Sequence, residues 1–365
     1  MRDRLTPRTV ALLILGAVAA FYVLYYIPNF FAKVRVAQFT DVLAISIAVL
    51  GLALLTGFNG QISIGHGAFF GVGAYTTAIL AADHGWPHLA TIPVAAVICF
   101  GVGALTGLPA LRIKGLYLAL VTLALATLVP LVVIRFDWLT GGSQGLGVPD
   151  FEAPDWTGLA EDQWAYYVVL VFAVVLFLLV RNLVRSRPGR ALIAIRDNET
   201  AAEVLGVNLS LYKVLVFGTS AMLAGIGGAL KVCNTAVLDR VDPQQFTILK
   251  SIEFLAAMVI GGATAIFGPV IGTLFIIFVP ERASDVSPEL SNVIFGGLLI
   301  ILMLLLPSGA IGGLRRLEAS ILRRTGRGPD WRKIPPSAEG AGDEQAEIAV
   351  AVGDPLSGPS GPSGP

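Results

Sequence analysis

The chain has 365 residues, of which 55% are hydrophobic and only 14% are charged, and its mean hydropathy is +0.77. Soluble domains carry about 25% charged residues, so this composition excludes an ordinary soluble protein and predicts an all-α protein that crosses a membrane several times. The formal net charge is zero, which provides no electrostatic basis for binding nucleic acid.

The apolar segments that approach the length of a membrane-crossing helix, about 20 residues for a 30 Å hydrocarbon layer, follow one another along the chain. They lie at 10–27, 41–58, 62–82, 89–111, 115–134, 164–181, 211–230, 248–262, 264–280 and 290–306. The first follows several arginines and could begin a signal peptide, but its apolar run continues through Ile27 and favours an uncleaved helix. Because glycines interrupt two pairs of segments, we expect about 8 to 10 crossing helices, some of them glycine-broken or re-entrant.

Positive charge indicates which loops face the cytoplasm. With the N-terminus inside, the basic segments are all cytoplasmic and the acidic loop is external. The basic segments are 112–114, 181–196 and 315–324, and the acidic external loop is 135–163. The sequence therefore predicts a membrane domain at 1–320 with both termini in the cytoplasm. Residues 325–365 have too few apolar residues to form a core, so we expect a disordered cytoplasmic tail.

The cytoplasmic loop 185–210 is unusually patterned. Its stretch SRPGRALIAIRDNETAAEVLGVN opens with Pro188 and closes at Gly206, the residue types that start and end a helix. One face of this helix carries an apolar stripe, which we expect to be available to a partner protein. The stripe consists of Leu192, Ile195, Ala202 and Leu205.

Two glycine-rich interruptions, at 57–61 and 261–268, lie within apolar sequence. Non-helical backbone at membrane depth is tolerated where protein or a water-filled cavity satisfies its polar groups, so these breaks predict a translocation pathway. The predicted pathway residues are Asn59, Gln61, Ser63, His66, Gly261, Gly262 and Gly268. Helix capping or packing is an alternative role for the polar residues, as is a proton relay for His66. Glycines at GxxxG spacing, such as Gly268 and Gly272, favour close helix packing.

Other polar residues allow two interpretations or a purely structural one. Lys250 and Glu253 could form a pair that reaches the outer interface, or they could contact substrate. The turn TGGSQG at 140–145 could contact an external protein or only reverse the chain. The two cysteines, Cys99 and Cys233, lack paired spacing and are interpreted as structural thiols, and the sequence predicts no catalytic residue, metal site or cofactor.

Five sequence blocks, in this order, resemble the LivM-type permease subunits of branched-chain amino-acid ABC importers. They are LLTGFNGQISIGHGAFFGVGAY at 54–75, LRIKGLYLALVTLALA at 111–126, TGGSQGLGVP at 140–149, GRALIAIRDNETAAEVLGVNLSLYK at 189–213 and SIEFLAAMVIGGATAIFGPVIGT at 251–273. The resemblance covers most of the chain between about residues 40 and 310, so residues 1–320 are expected to be a permease domain.

This resemblance implies a multi-pass protein of the plasma or inner membrane that translocates branched-chain amino acids. The implied partners are a second permease of similar fold, two cytoplasmic ATP-binding subunits and an extracytoplasmic substrate-binding protein. The chain has no G-x-x-x-x-G-K-[ST] motif, so ATP hydrolysis is expected on the separate subunits and the chain is not itself an enzyme. The alternatives are a related importer of urea or amides and an ion-coupled secondary amino-acid carrier.

The block 189–213 is similar to the loop through which importer permeases contact their ATPases. The implied coupling residues are Arg190, Arg196, Glu199, Ala201, Ala202, Glu203 and Gly206. The two alanines and the glycine fit the usual Glu-Ala-Ala-x-x-x-Gly pattern. Thr200 occupies the glutamate position, and no I-x-L-P follows, so the resemblance does not fix which residue makes the contact.

Overall fold

The computed structural model describes residues 22–111, 115–234, 240–286, 291–305, 309–310 and 312. These residues form thirteen α-helices and two short strands. The helices are α1 Ile27–Phe30, α2 Lys33–Leu52, α3 His66–Ala82, α4 His88–Gly107, α5 Leu116–Arg135, α6 Asp137–Thr140, α7 Glu161–Arg185, α8 Arg187–Asp197, α9 Glu199–Val204, α10 Leu209–Val232, α11 Ile248–Gly261, α12 Gly268–Val286 and α13 Ser291–Leu305. The strands β1 Leu146–Gly147 and β2 Arg240–Val241 pair antiparallel. Most of the first predicted span and the whole predicted tail lie outside the described residues.

Five helices in the described part of the chain are long and apolar enough to cross a membrane, which confirms the all-α polytopic class. They are Lys33–Phe58, in which a π-helical turn extends α2, together with His88–Gly107, Tyr117–Arg135, Glu161–Arg185 and Leu209–Val232. Helix α11 has 14 residues. At a rise of about 1.5 Å per residue it measures only about 21 Å, less than a full hydrocarbon layer. This length fits the prediction of a glycine-broken element.

Helix α10 lies at the centre of the bundle and packs closely against α2, α3 and α4 through its glycines. A Cβ atom at Gly228 would overlap the carbonyl oxygen of Phe70, and one at Gly227 would lie 2.6 Å from the carbonyl oxygen of Ala44. The GxxxG glycines pack in the same way, since a Cβ at Gly272 would overlap the carbonyl of Ala257. These contacts confirm that the GxxxG spacing serves close packing.

A pair of alanine substitutions tests this packing. Gly73 on α3 faces the backbone of Gly225 on α10, where a Cβ would overlap the carbonyl oxygen, whereas Gly101 on α4 has open space around it. Gly73→Ala should destabilise the protein by about 1–3 kcal/mol because two backbones must separate. Gly101→Ala should be neutral or slightly stabilising, by up to about 1 kcal/mol, because alanine favours a helix. Thermal unfolding of both variants in detergent measures the difference, and equal midpoints would show that the interface is loose.

The loop 135–163 folds against the segment that precedes α11. Strand β1 pairs with β2, the guanidinium of Arg240 donates to the carbonyl of Gln144 at 2.9 Å, and the Tyr75 hydroxyl donates to the Val241 carbonyl at 3.3 Å. Gly145 has a φ of +69°, which glycine adopts without strain. The turn at 140–145 therefore reverses the chain and packs on its own subunit.

Candidate coupling surface and translocation pathway

The loop 185–210 forms two helices, so the prediction of one continuous helix is wrong. Helix α8 ends at Asp197, and Asn198 adopts an extended conformation from which its side-chain oxygen accepts a hydrogen bond from Ala201 N at 3.0 Å. This is N-cap geometry, which asparagine favours, so Asn198 starts the second helix, α9. The prediction that Gly206 closes the helical segment is confirmed, since Gly206 has a φ of +85° and Val207 N donates to Ala202 O at 3.0 Å.

The apolar stripe on this segment is mostly covered by the chain's own body. Leu192, Ile195 and Ala202 are buried, whereas Leu205 is 81% exposed and its neighbour Val204 is 83% exposed. The expectation that the whole stripe is free for a partner is therefore wrong, because its inner residues anchor α8 and α9 to the bundle. What projects is an apolar tip, Val204 and Leu205. Val204 was missed because it lies off the stripe when the segment is drawn as one helix.

Charged residues hold the segment against two membrane helices. The Arg196 guanidinium donates to the carbonyl of Gly57 at 3.0 Å and pairs with Asp197 at 2.9 Å. Lys213 at the start of α10 is buried and pairs with Glu199 at 2.7 Å. The other predicted coupling residues divide into Ala202, which is buried, and Arg190, Ala201, Glu203 and Gly206, which are exposed.

A cavity of about 180 Å³ lies between this segment and the first glycine break, beside the contact of Arg196 with Gly57. Its walls bring predicted coupling residues, Arg196 and Glu199, together with predicted pathway residues, Asn59 and Gln61. The Asn59 side chain is buried, and its amide oxygen and nitrogen have no hydrogen-bond partner among the described residues. A buried amide without a hydrogen-bond partner costs about 1–3 kcal/mol of stability, which favours a rearrangement of this region or a bound water molecule.

His66 occupies a fully hydrogen-bonded position beneath the first break. Its Nε2 lies 2.9 Å from the Ser220 hydroxyl and its Nδ1 lies 3.4 Å from the Ser63 hydroxyl. Because Ser220 donates its proton to the Gly51 carbonyl at 2.6 Å, it accepts from His66, which places the imidazole proton on Nε2. Ser63 then donates to Nδ1. A neutral histidine satisfies every group here, which favours capping and packing over a proton relay.

The two glycine breaks contact each other. Gly57 packs on the backbone of Ala263, where any Cβ atom would overlap the carbonyl oxygen, and the backbones of Gly261 and Gly268 pack together. Gly262 has a φ of +103°, a conformation that L-residues with side chains rarely adopt. The glycines therefore allow two broken segments to meet at one place, and their role in lining a pathway stays a prediction.

The chain is similar in sequence to several known transport permeases. The high-affinity branched-chain amino acid transport system permease protein LivM of Escherichia coli K12 is 29% identical over 287 residues, covering 72% of this chain and 66% of LivM. The corresponding LivH protein is 27% identical over 310 residues, covering 79% of this chain and 96% of LivH. The ribose import permease protein RbsC of the same organism is 28% identical over 258 residues, covering 68% of this chain and 75% of RbsC. No solved structure matches the chain significantly.

The family match spans most of the chain. Residues 34–303 match the model described as the permease component of the branched-chain amino acid transport system. This range begins within α2 and ends within α13, so it contains both glycine breaks and the loop 185–210. The chain therefore belongs to this family of multi-pass membrane transport permeases.

Proposed function

We propose that this chain is a permease subunit of an ATP-driven importer of branched-chain amino acids. Its proposed partners are a second permease of similar fold, two cytoplasmic ATP-binding subunits and an extracytoplasmic substrate-binding protein. Two relatives, LivM and LivH, are named as permeases of a high-affinity branched-chain amino acid transport system, which supports both the substrate class and the second permease. The similarity to RbsC, a ribose import permease, means that the fold alone does not set the substrate.

The observation that carries the proposal is the exposed tip at the end of α9. Val204 and Leu205 are each more than four-fifths exposed, outside the apolar helices, and the exposed side chains of Arg190 and Glu203 lie on the same segment. Paired large apolar side chains on a polar surface are typical of protein interaction sites. A separate ATPase that docks on this tip would bury both side chains.

The contacts of the coupling segment suggest how the ATPase acts on the membrane helices. Arg196 joins the segment to the Gly57 carbonyl, and Glu199 joins it to Lys213. Gly57 in turn packs on Ala263 in the second break. A movement of the tip would therefore reach both breaks through direct contacts. For ATP binding to drive transport, each ATPase state must favour a different arrangement of these contacts.

The proposed orientation places the coupling segment in the cytoplasm. Loop 135–163 and the segment before α11 are joined by β1 and β2, so they lie on one side, and the coupling segment lies at the other ends of α7 and α10. Basic residues are concentrated at the coupling segment, and acidic residues in the paired loop. The positive-inside rule supports this orientation, and with it the proposal that both termini lie in the cytoplasm.

Purification of the tagged chain from its native membrane in mild detergent tests the assembly. We expect mass spectrometry to identify a second permease and P-loop ATPases among the bound proteins. A clean single species that moves leucine into liposomes under an ion gradient, without any ATPase, would instead identify a secondary carrier.

A further inference from the structure

Two cavities meet at an ion pair on α11. Lys250 Nζ and Glu253 Oε2 are 2.7 Å apart, and both residues line both cavities. The outer cavity, of about 420 Å³, is lined mostly by residues with polar side chains, which include Gln244, Gln245 and Thr247. The inner cavity, of about 340 Å³, is lined mostly by apolar side chains, which include Ile45, Phe254, Ile277 and Phe295. The pair thus lies where a cavity lined mostly by polar residues meets one lined mostly by apolar residues.

The inner cavity reaches the middle of a membrane-crossing helix. Ile45 is separated by twelve residues from Lys33 and by thirteen from Phe58, the two ends of its membrane-crossing helix. At about 1.5 Å per residue, Ile45 is about 18–20 Å from either end. The outer cavity reaches Lys231 at the external end of α10. A path from outside to the level of Ile45 therefore passes Lys250 and Glu253, which favours a contact with substrate over a pair that merely reaches the outer interface.

The charged residues on this path form ion pairs, and only one of these pairs faces both cavities. Lys231 is held by Asp41 at 2.8 Å, so the pair that faces both cavities is Lys250 with Glu253. Their side chains are 22% and 39% exposed, which leaves both charged groups accessible from the cavities. Charged side chains at membrane depth are costly, and those that occur typically face a pathway or one another.

An α-amino acid matches this arrangement. Its ammonium and carboxylate groups are joined through one carbon, so the carboxylate of Glu253 can accept from the ammonium while Lys250 donates to the carboxylate. Exchange of one ion pair for two leaves the net charge of the site unchanged, and charge-assisted hydrogen bonds replace those lost. The branched side chain then enters the apolar cavity, whose volume lies within the range of about 300–1,000 Å³ found for small-molecule sites.

We propose that Lys250, Glu253 and the apolar cavity beside Ile45 and Phe254 hold the amino acid within the permease during translocation. The inference rests on the proposed function, since it requires that the chain transport a zwitterion with an apolar side chain. It adds a specificity-determining pair. A solute without an ammonium group leaves Glu253 without a partner, and a solute without a carboxylate leaves Lys250 without a partner.

The test uses the complete importer, reconstituted in liposomes with its ATPases and its substrate-binding protein, and measures leucine uptake and ATP hydrolysis together. Glu253→Gln should lower leucine uptake at least about tenfold, because it removes the carboxylate that accepts from the ammonium group of the substrate. ATP hydrolysis stimulated by the binding protein should continue. The matched control is Glu281→Gln, which breaks the ion pair with Arg35 at 2.7 Å, of similar exposure, and lines neither cavity. This control should keep uptake within about twofold of wild type, as expected for a surface ion pair.

A double variant distinguishes a loss of transport from misfolding. Lys250→Met with Glu253→Met removes both charges and leaves no unpaired one, so the importer should assemble and still fail to take up leucine. If the wild-type importer does not use ATP to take up leucine, the proposed function fails. If the wild type does so and Glu253→Gln, or the double variant, takes up leucine as the Glu281→Gln control does, the inference about this site is overturned and the proposed function stands.

Discussion

Replacement of Val204 and Leu205 by aspartate is expected to abolish ATP-driven uptake while the subunit stays folded in the membrane. Both side chains are more than four-fifths exposed, so the change removes almost no packing within this chain. At a docked ATPase, each aspartate would be an unpaired charge in a buried interface, which costs about 3–5 kcal/mol and corresponds to at least about a hundredfold loss of affinity. Co-purification of the ATPase and uptake in liposomes should therefore be lost together.

The matched control for the tip is Trp156→Asp on the loop 135–163. Trp156 is 82% exposed, comparable to the tip, but lies on the side of the bundle opposite the coupling segment. This variant should retain the ATPase through purification. If the tip variant retains the ATPase as well, the docking surface lies elsewhere. Charge reversal at Arg190 and Glu203 probes the same exposed surface, whereas reversal at Arg196 also breaks its hydrogen bond to Gly57.

Gly57→Ala is expected to have the second large effect, a loss of uptake with reduced stability. An added Cβ would overlap the carbonyl oxygen of Ala263 and lie 2.6 Å from its carbon, and backbone atoms cannot rotate away as a side chain can. The two broken segments must separate, at a cost of about 1–3 kcal/mol or more. Uptake at saturating ATP and the thermal midpoint in detergent measure the two effects. Gly147→Ala serves as the control, since Gly147 has nothing within 4 Å of the added atom.

Arg196→Ala separates the loss of coupling from loss of fold. It removes the hydrogen bond to the Gly57 carbonyl without introducing an atom. Such a bond contributes about 1.5–3 kcal/mol when the donor is charged, so a folded subunit is expected. ATP hydrolysis should continue while less leucine is taken up per ATP. Unchanged uptake per ATP would show that the force reaches the helices by another route.

The sequence predicted the class, the breaks and the helical character of the loop 185–210, because each of these is encoded locally. Apolar length specifies a crossing helix, and the glycines at 57–61 and 261–268 interrupt it where the helices in fact end. The capping role of Asn198 was also readable in principle, since asparagine is among the residues preferred at the start of a helix. It was overlooked because the apolar period continues across it.

What the sequence could not predict are contacts between distant parts of the chain. Periodicity identified Leu192 and Ile195 as one face, but it cannot say whether that face meets a partner or the chain's own bundle. Similarly, the packing of Gly57 on Ala263 and the pairing of Glu199 with buried Lys213 join segments whose local patterns are independent. The convergence of two cavities on Lys250 and Glu253 depends on the same long-range arrangement.

Uptake of radiolabelled leucine by liposomes that contain the purified complex, with ATP supplied on the side of the ATPases, tests the central claim most directly. Leucine should accumulate only when ATP, the ATPases and the substrate-binding protein are all present, and dissipating ion gradients should change nothing. Accumulation by this chain alone, driven by an ion gradient and indifferent to ATP, would contradict it.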